Sequence, residues 1–407
     1  MNVVLTSETR FILDSYGNVV TNNEHGAGYN YFKKYLDAFD RVIVVGRLQN
    51  ENIPDIKQAM SPVTGEGVFF VSLPYYHGPT QYLKKSIEIK KKVRSVFLKQ
   101  KMNSSFIART PGKIGSLFID EFNKSKFPYG MEVVSDPYDV FGPGAIRHPL
   151  RPIFRIMFTN KLKYQCSRAC AVSYVTEFAL QKRYPPSVGA FSTHYSSIQM
   201  KQGAYIEKPR NFNKKEKYNL IFVGTLDQLY KAPDILIDSV VLCGALGVEL
   251  HLNIIGDGKF RPGLEQRVAS KGLEGRIRFL GRLPSGEAIR EQLDKADLFV
   301  LPSRGEGLPR AMIEAMARGL PCIGSTASGI PELLDADDLV PPDDVDSLGK
   351  KIRDILSDPD RMAQMSIRNL EKSKGYRSEL LQKRRVEFYK NVKERTEKFM
   401  NIKGTNK

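Results

Sequence analysis

Glu306 and Glu314 are the two carboxylates whose surroundings suggest chemistry. They lie within residues 301–334, LPSRGEGLPRAMIEAMARGLPCIGSTASGIPELL, with Gly307, Leu308 and Pro309 following the first of them. Pro309 suits the first position of a helix, where a missing N–H costs nothing. Residues 311–317 are strong helix formers. Gly319 fits a left-handed cap, and Pro321 prevents continuation. The stretch predicts a short helix starting near Pro309, entered through a glycine-flanked loop that carries Glu306. The unpaired amides of Gly307, Leu308 and Arg310 make an anion site suited to a pyrophosphate. Glu314 falls about one and a half turns into the helix. Carboxylates accept hydrogen bonds from sugar hydroxyls, and two spaced in this way could grip two different rings.

Such a loop needs a sheet to hold it. Residues 219–223, 250–255, 276–280, 298–301 and 321–324 read as buried strands with helical stretches between them. The first half alternates in the same manner, with strands at 2–6, 41–48, 68–73, 105–108, 131–135 and 171–175. Helices are expected at 29–39 and 81–101. This pattern argues for two doubly wound parallel sheets. The polar run 207–217, broken by Pro209, is the candidate linker. The expected domains are therefore 1–206 and 218–375, with a charged amphipathic helix in 376–407. In open α/β sheets ligands bind beyond the carboxyl ends of the strands, so catalysis is expected between the domains.

The motif from Glu306 to Glu314 resembles the signature of the family 4, or group 1, retaining glycosyltransferases. Four further segments appear in that family's order: NLIFVGTL followed by Lys231, IIGDG at 254–258, RIRFLGRL at 276–283 and ADLFVLPS at 296–303. The resemblance implies the GT-B fold, two Rossmann-like domains facing a cleft, with the last helix crossing back onto the N-terminal domain. It implies an N-terminal acceptor domain and a C-terminal domain for a nucleotide-sugar, UDP- or GDP-linked. Glu314 would hold the ribose. Glu306 and the amides after it would hold the transferred sugar, with Gly307, Leu308 and Pro309 among the donor-binding residues. Lys231 would neutralise the diphosphate without a metal ion or cofactor. Gly224, Thr225 and Gly256 would line the donor site, and the backbone at Arg282 and Leu283 would hold the base.

The chain departs from the family at three places, one of them the segment after Glu332, DADDLVPPDD, which is shortened, acidic and without the usual glycine. An arginine usual two residues before the position of Asp227 is replaced by Thr225, so Lys231 acts alone or Arg282 or Arg304 compensates. A histidine usual after a central N-terminal strand is absent; Asp136 either takes that place at the reacting sugar or simply starts the turn before Pro137. In the N-terminal half, Gly26, Ala27 and Gly28 match a glycine-rich loop near the diphosphate and acceptor. Arg109, ending a strand, faces either the cleft or solvent.

The 407 residues carry a net charge of +17, which implies an anionic partner. Lys84, Lys85, Lys90, Lys91, Lys92 and Arg94 crowd one helix, and 140–176 holds no acid but includes Arg147, Arg151, Arg155 and Lys161 among aromatic residues. This composition fits either an anionic membrane surface beside a lipid-linked or saccharide acceptor, or solvated helix faces over core aromatics. No nucleic-acid motif accompanies the charge, so nucleic acid is not an expected partner. The four cysteines lack metal-ligand spacing and read as buried thiols, with Cys166 and Cys170 on one helix. No apolar run reaches the roughly 20 residues that span a bilayer, and the start lacks a basic leader. The expected enzyme is cytoplasmic, peripheral on the membrane's inner face, and active in surface polysaccharide or glycoconjugate synthesis. A sugar-nucleotide epimerase of the same fold is the alternative, as is an inactive basic protein that binds nucleic acid or membrane.

Overall fold

The computed structural model describes residues 1–22, 24–49, 60–145 and 148–405, so Arg147 of the basic stretch lies outside the description. The first strand, β1 (Asn2–Leu13), shows how the sequence alternation builds the domain. Val3 and Leu5 pack into one buried cluster and Val4 into another on the opposite face, as the two-residue period of a strand dictates. A strand apolar on both sides requires cover on both sides, the condition of a parallel sheet. The other N-terminal strands are β2 (Val19–Thr21), β3 (Val42–Gln49), β4 (Ser61–Pro62), β5 (Val68–Pro74), β6 (Ser104–Thr110), β7 (Gly130–Val133), β8 (Ala171–Tyr174) and β9 (Phe191–His194). The parallel part runs β5-β3-β1-β6-β7-β8-β9. β2 folds back antiparallel on the end of β1, with β4 beside it.

The second sheet comprises β10 (Lys217–Val223), β11 (Glu249–Ile255), β12 (Ile277–Gly281), β13 (Leu298–Leu301), β14 (Cys322–Ser325) and β15 (Leu339–Val340). Its order is β12-β11-β10-β13-β14-β15, all parallel. Both sheets thus wind outward from their first strand in one direction and then reverse. The reversals fall between β1 and β6 and between β10 and β13, and ligands bind at such switch points. The expected α/β, doubly wound class is the observed one.

Several local expectations change. β1 runs on past Thr6 to Leu13, with a register shift against β3 between Thr6 and Arg10. Its turn is closed by Asp14 Oδ1, which accepts the amides of Tyr16 and Asn18 at 2.9 and 2.7 Å. β9 is a strand with no expected counterpart. The helix Arg151–Cys166 ends at Cys166, so Cys170 lies in the connection to β8 rather than on that helix. Glu24–Ala27 forms a single helical turn, placing Gly26 and Ala27 in a helix instead of a glycine loop.

The chain passes between domains twice, at neighbouring points. Met200 bridges to Arg377, and the Ser378 amide donates to the Met200 carbonyl at 3.2 Å. The segment after the first crossing is extended and fastened to the second domain. Arg210 donates to the carbonyls of Arg318, Ala296 and Leu293 at 2.6, 2.9 and 3.1 Å, capping the ends of two helices. After the second crossing, the helix Ser378–Thr405 lies against the first sheet. Tyr389 stacks on Tyr35 at 4.4 Å, and Gln382 and Lys393 donate to Asp37 and to the Ala38 carbonyl.

Candidate active site

The irregularity in the middle of β1, between Thr6 and Arg10, and the carboxyl end of β6 carry Ser7, Glu8 and Arg109 to one wall of a cleft, and the loop after β13 carries Gly305, Glu306 and Gly307 to the other. The cleft is open to solvent on one side, with a volume of about 510 Å3. Both walls are therefore built at the switch points of their sheets. The helix Arg310–Ala317 begins at the cleft, with Pro309 as its N-cap rather than its first residue. Gly319 takes φ +62°, the left-handed cap expected of it.

Glu306 pairs with Lys231, the two side chains being 9% and 12% exposed. The Ser303 hydroxyl lies 3.4 Å from the same carboxylate oxygen, Oε1. Lys231 reaches Glu306 by laying its stem across Gly224, where a Cβ would stand 2.3 Å from the lysine Cδ. Glycine is thus required by the close approach of a side chain from the next loop. Burial opposes the charge on Lys231, but the Glu306 carboxylate and Tyr230 more than offset it, and its pKa is raised. Lys231 is a cation under working conditions, with its charge already committed to Glu306.

Glu314 sits further along the helix. Burial raises its pKa, opposed by the positive charges of Arg310 and Arg290. Arg310 itself is exposed and lines the cleft. Thr225 is turned into its own loop: its hydroxyl lies 3.3 Å from Asp227 Oδ2 and accepts the Asp227 amide at 3.2 Å.

On the opposite wall Arg109 is anchored from behind. Its Nη1 donates to the Gly26 carbonyl at 2.9 Å, its Nε stands 3.5 Å from the buried Glu132, and its guanidinium lies 4.8 Å from the Tyr31 ring centre. Asp136 is 3% exposed and fully occupied. It caps the short helix Pro137–Val140 by accepting the Tyr138 amide at 2.8 Å, and it accepts from Arg183 and from the Tyr184 hydroxyl. Of the two readings of Asp136, these contacts favour the one in which it starts the turn before Pro137. Asp139 also lines the cleft, its pKa raised by burial and by the charge of Asp136. So does Glu8, raised by burial and opposed by the Ile114 amide and Arg47.

The two walls touch. A Cβ on Gly307 would meet the Val134 carbonyl at 3.0 Å, and the Ser328 hydroxyl donates to Asp139 across the gap. Glu332 accepts the amides of Glu177, Phe178 and Ala179 at 2.6, 2.9 and 2.6 Å, tying the second domain to the first beside the cleft.

Residues 205–373 match the family model for glycosyl transferases, group 1, a span holding β10 to β15 and the loop of Glu306. Those residues form a group 1 glycosyltransferase domain, and the chain is a glycosyltransferase. This transferase is 27% identical over 395 residues to protein CapJ of Staphylococcus aureus, covering 95% of one chain and 96% of the other. It is 43% identical over 88 residues to the amylovoran biosynthesis glycosyltransferase AmsK of Erwinia amylovora, which is 20% of this chain and 21% of that protein. The solved structure of Alr3699/HepE from Anabaena, in complex with UDP and glucose, superposes with a TM-score of 0.65 at 15% identity over 95% and 98% of the two chains. The fold of the transferase is GT-B.

Of the residues named from the sequence, the transferase brings Gly26, Arg109, Asp136, Glu306, Gly307 and Leu308 to the cleft. Lys231 and Gly224 stand directly behind Glu306. Gly256 packs on the Gly224 carbonyl. Arg282 is 57% exposed, 3.9 Å from Asp227, and Arg304 is bound by Asp234 and Asp343, so neither expected compensating cation faces the cleft. Thr225, Leu283, Pro309, Glu314, Ala27 and Gly28 do not line it either. Sequence reading missed Glu8, Asp139, Tyr230 and the side chain of Arg310. For Glu8 a signal existed, since it follows the apolar run of the first strand, where switch-point residues fall. Asp139 carries no such signal, because only the fold of the loop turns it inward.

Proposed function

We propose that the chain moves a sugar from a nucleoside-diphosphate sugar, UDP- or GDP-linked, to a saccharide or lipid-linked acceptor, with retention and without a metal ion. One observation carries this reading: Glu306 and the amides opening the helix Arg310–Ala317 face a wall of hydroxyls and acids across a single cleft. The donor diphosphate would meet those amides, with Lys231 behind. Glu306 would hold the transferred sugar, and Glu314 the ribose. The acceptor would lie against Ser7, Glu8 and Arg109 of residues 1–206, and the donor against residues 218–375. The acceptor oxygen would bond to the anomeric carbon as the bond to the diphosphate breaks. That electron pair would stay on the phosphate oxygen, which takes the acceptor's proton on the same face. Pairing with Lys231 disfavours Glu306 as a covalent nucleophile. Contact between the domains would exclude water and prevent hydrolysis of the activated sugar. The complex of HepE with UDP and glucose supports a nucleotide-sugar donor, and the name of AmsK supports polysaccharide synthesis.

A cytoplasmic enzyme resting on an anionic membrane fits the N-terminal surface. Leu83 and Ile87 are each 70% exposed on the helix Gly78–Gln100, and Ile153 and Ile156 are 60% and 64% exposed on the helix Arg151–Cys166. Tyr164 shares a groove with Lys90, Lys91 and Arg94, so the two basic, apolar-studded faces adjoin. Such a surface suits an acidic lipid headgroup layer. Among the described residues no helix is long and apolar enough to cross a membrane.

The test of function is a thermal-shift panel of UDP, GDP, ADP and their sugars, followed by transfer with the stabilising donor in chelator. Product NMR should show the donor's anomeric configuration. Loss of activity in chelator would overturn metal independence, inversion would overturn retention, and conversion of donor without acceptor would favour an epimerase. Sedimentation with anionic but not neutral vesicles, unchanged by RNA, would support the membrane surface.

A further inference from the structure

We propose that Arg310 is the second cation on the donor diphosphate, standing in for the positive charge that Thr225 lacks. This rests on the donor-site reading above and names the side chain on which its charge balance depends. The amides at the helix start supply only about half a positive charge. Lys231 adds a full charge, but Glu306 is paired to it and cancels it. Glu314, on the same helix, adds negative charge once ionised. Without another cation these groups leave the helix start close to neutral or negative, a poor place for a group carrying about one negative charge on each phosphate.

The alternatives are otherwise engaged. Arg304 is 7% exposed and bonded to Asp234 and Asp343. Arg282 leans on Asp227 and does not reach the cleft. Arg109 lies on the opposite wall, held by Gly26 and Glu132. Arg310 differs from all three. It opens the helix, it is exposed, it lines the cleft beside Glu306 and Gly307, and among the described residues no carboxylate lies within ion-pair distance of it. Its charge is felt at Tyr230, Lys231 and Glu314 together, which puts it among the groups that would surround the diphosphate. A guanidinium also offers a planar fork that matches two phosphate oxygens, which a lysine does not.

The test uses the full chain and calorimetric titration with UDP, GDP, uridine and guanosine. Arg310→Gln should weaken binding of the preferred diphosphate about ten- to a hundredfold, the range for a charge-assisted hydrogen bond. Nucleoside binding should not change, and Arg310→Lys should fall between. Unchanged diphosphate affinity in Arg310→Gln, alongside a loss in Glu314→Gln, would refute the role of Arg310 and leave the donor site standing. Failure of the native protein to bind either diphosphate would remove the donor site and this proposal together. Should Arg310→Gln not fold, Arg310→Lys decides: diphosphate affinity equal to the native protein's refutes the proposal.

Discussion

Lys231 and Glu306, 75 residues apart in sequence, form a nearly buried ion pair at the back of the cleft. Removing one partner strands the other charge away from water. Lys231→Met should therefore cost about 3–5 kcal/mol of stability, and the double variant with Glu306→Gln should recover much of it. Chemical denaturation of the four proteins measures the coupling. Additive losses would show that the pair does not act as one unit.

The two glutamates should separate kinetically. Glu306→Gln should lower kcat more than it raises KM if that carboxylate holds the transferred sugar as proposed. Glu314→Gln should chiefly raise KM for the donor. Steady-state kinetics with varied donor distinguish them, and identical profiles would contradict the separate roles.

Asp136 should behave as a structural residue. Asp136→Ala removes a helix cap worth about 1 kcal/mol, leaves the Tyr184 hydroxyl without its acceptor, worth about 1–3 kcal/mol more, and leaves Arg183 only Asp139 as a carboxylate partner. The melting temperature should fall, with kcat at low temperature largely kept. A stable but inactive variant would return Asp136 to the chemistry.

Glu332 holds three amides of the other domain. Glu332→Ala should shift the open–closed balance by about tenfold toward separated domains, judged from the strength of hydrogen bonds to a charged acceptor. Small-angle scattering should report a larger radius of gyration, and donor hydrolysis without acceptor should rise. An unchanged radius would show that other contacts suffice.

His194 provides a pH dependence. Burial lowers its pKa below 6.5, and Arg384, 2.8 Å away, lowers it further against the opposing charges of Glu177 and Glu332. The unfolded chain therefore takes up this proton first as pH falls. The stability present above pH 6.5 is lost progressively toward the lowered folded-state value. His194→Gln should flatten the thermal midpoint between pH 7 and the acid limb relative to the native protein. Parallel curves would exclude His194 as the group responsible.

What the sequence determined by itself was local or periodic. The apolar runs specify buried parallel strands, because a strand covered on both faces needs no polar side. Pro309, the alanine-rich turn and Gly319 specify where the helix of Glu314 begins and ends, to within one residue, because each acts through its own backbone angles. The ordered segments between Asn219 and Leu334 carry the resemblance to the group 1 glycosyltransferases. Tertiary structure alone decided which charges are free. Arg304 and Arg310, six residues apart, look alike in sequence. One is consumed by Asp234 and Asp343 and the other opens onto the cleft. Asp136 and Asp139 likewise exchange apparent importance once Arg183 and Tyr184 close on Asp136. Electrostatic partners are chosen by proximity through space, across the 70 residues from Asp234 to Arg304 and the 47 from Asp136 to Arg183. No periodicity along the chain encodes those distances.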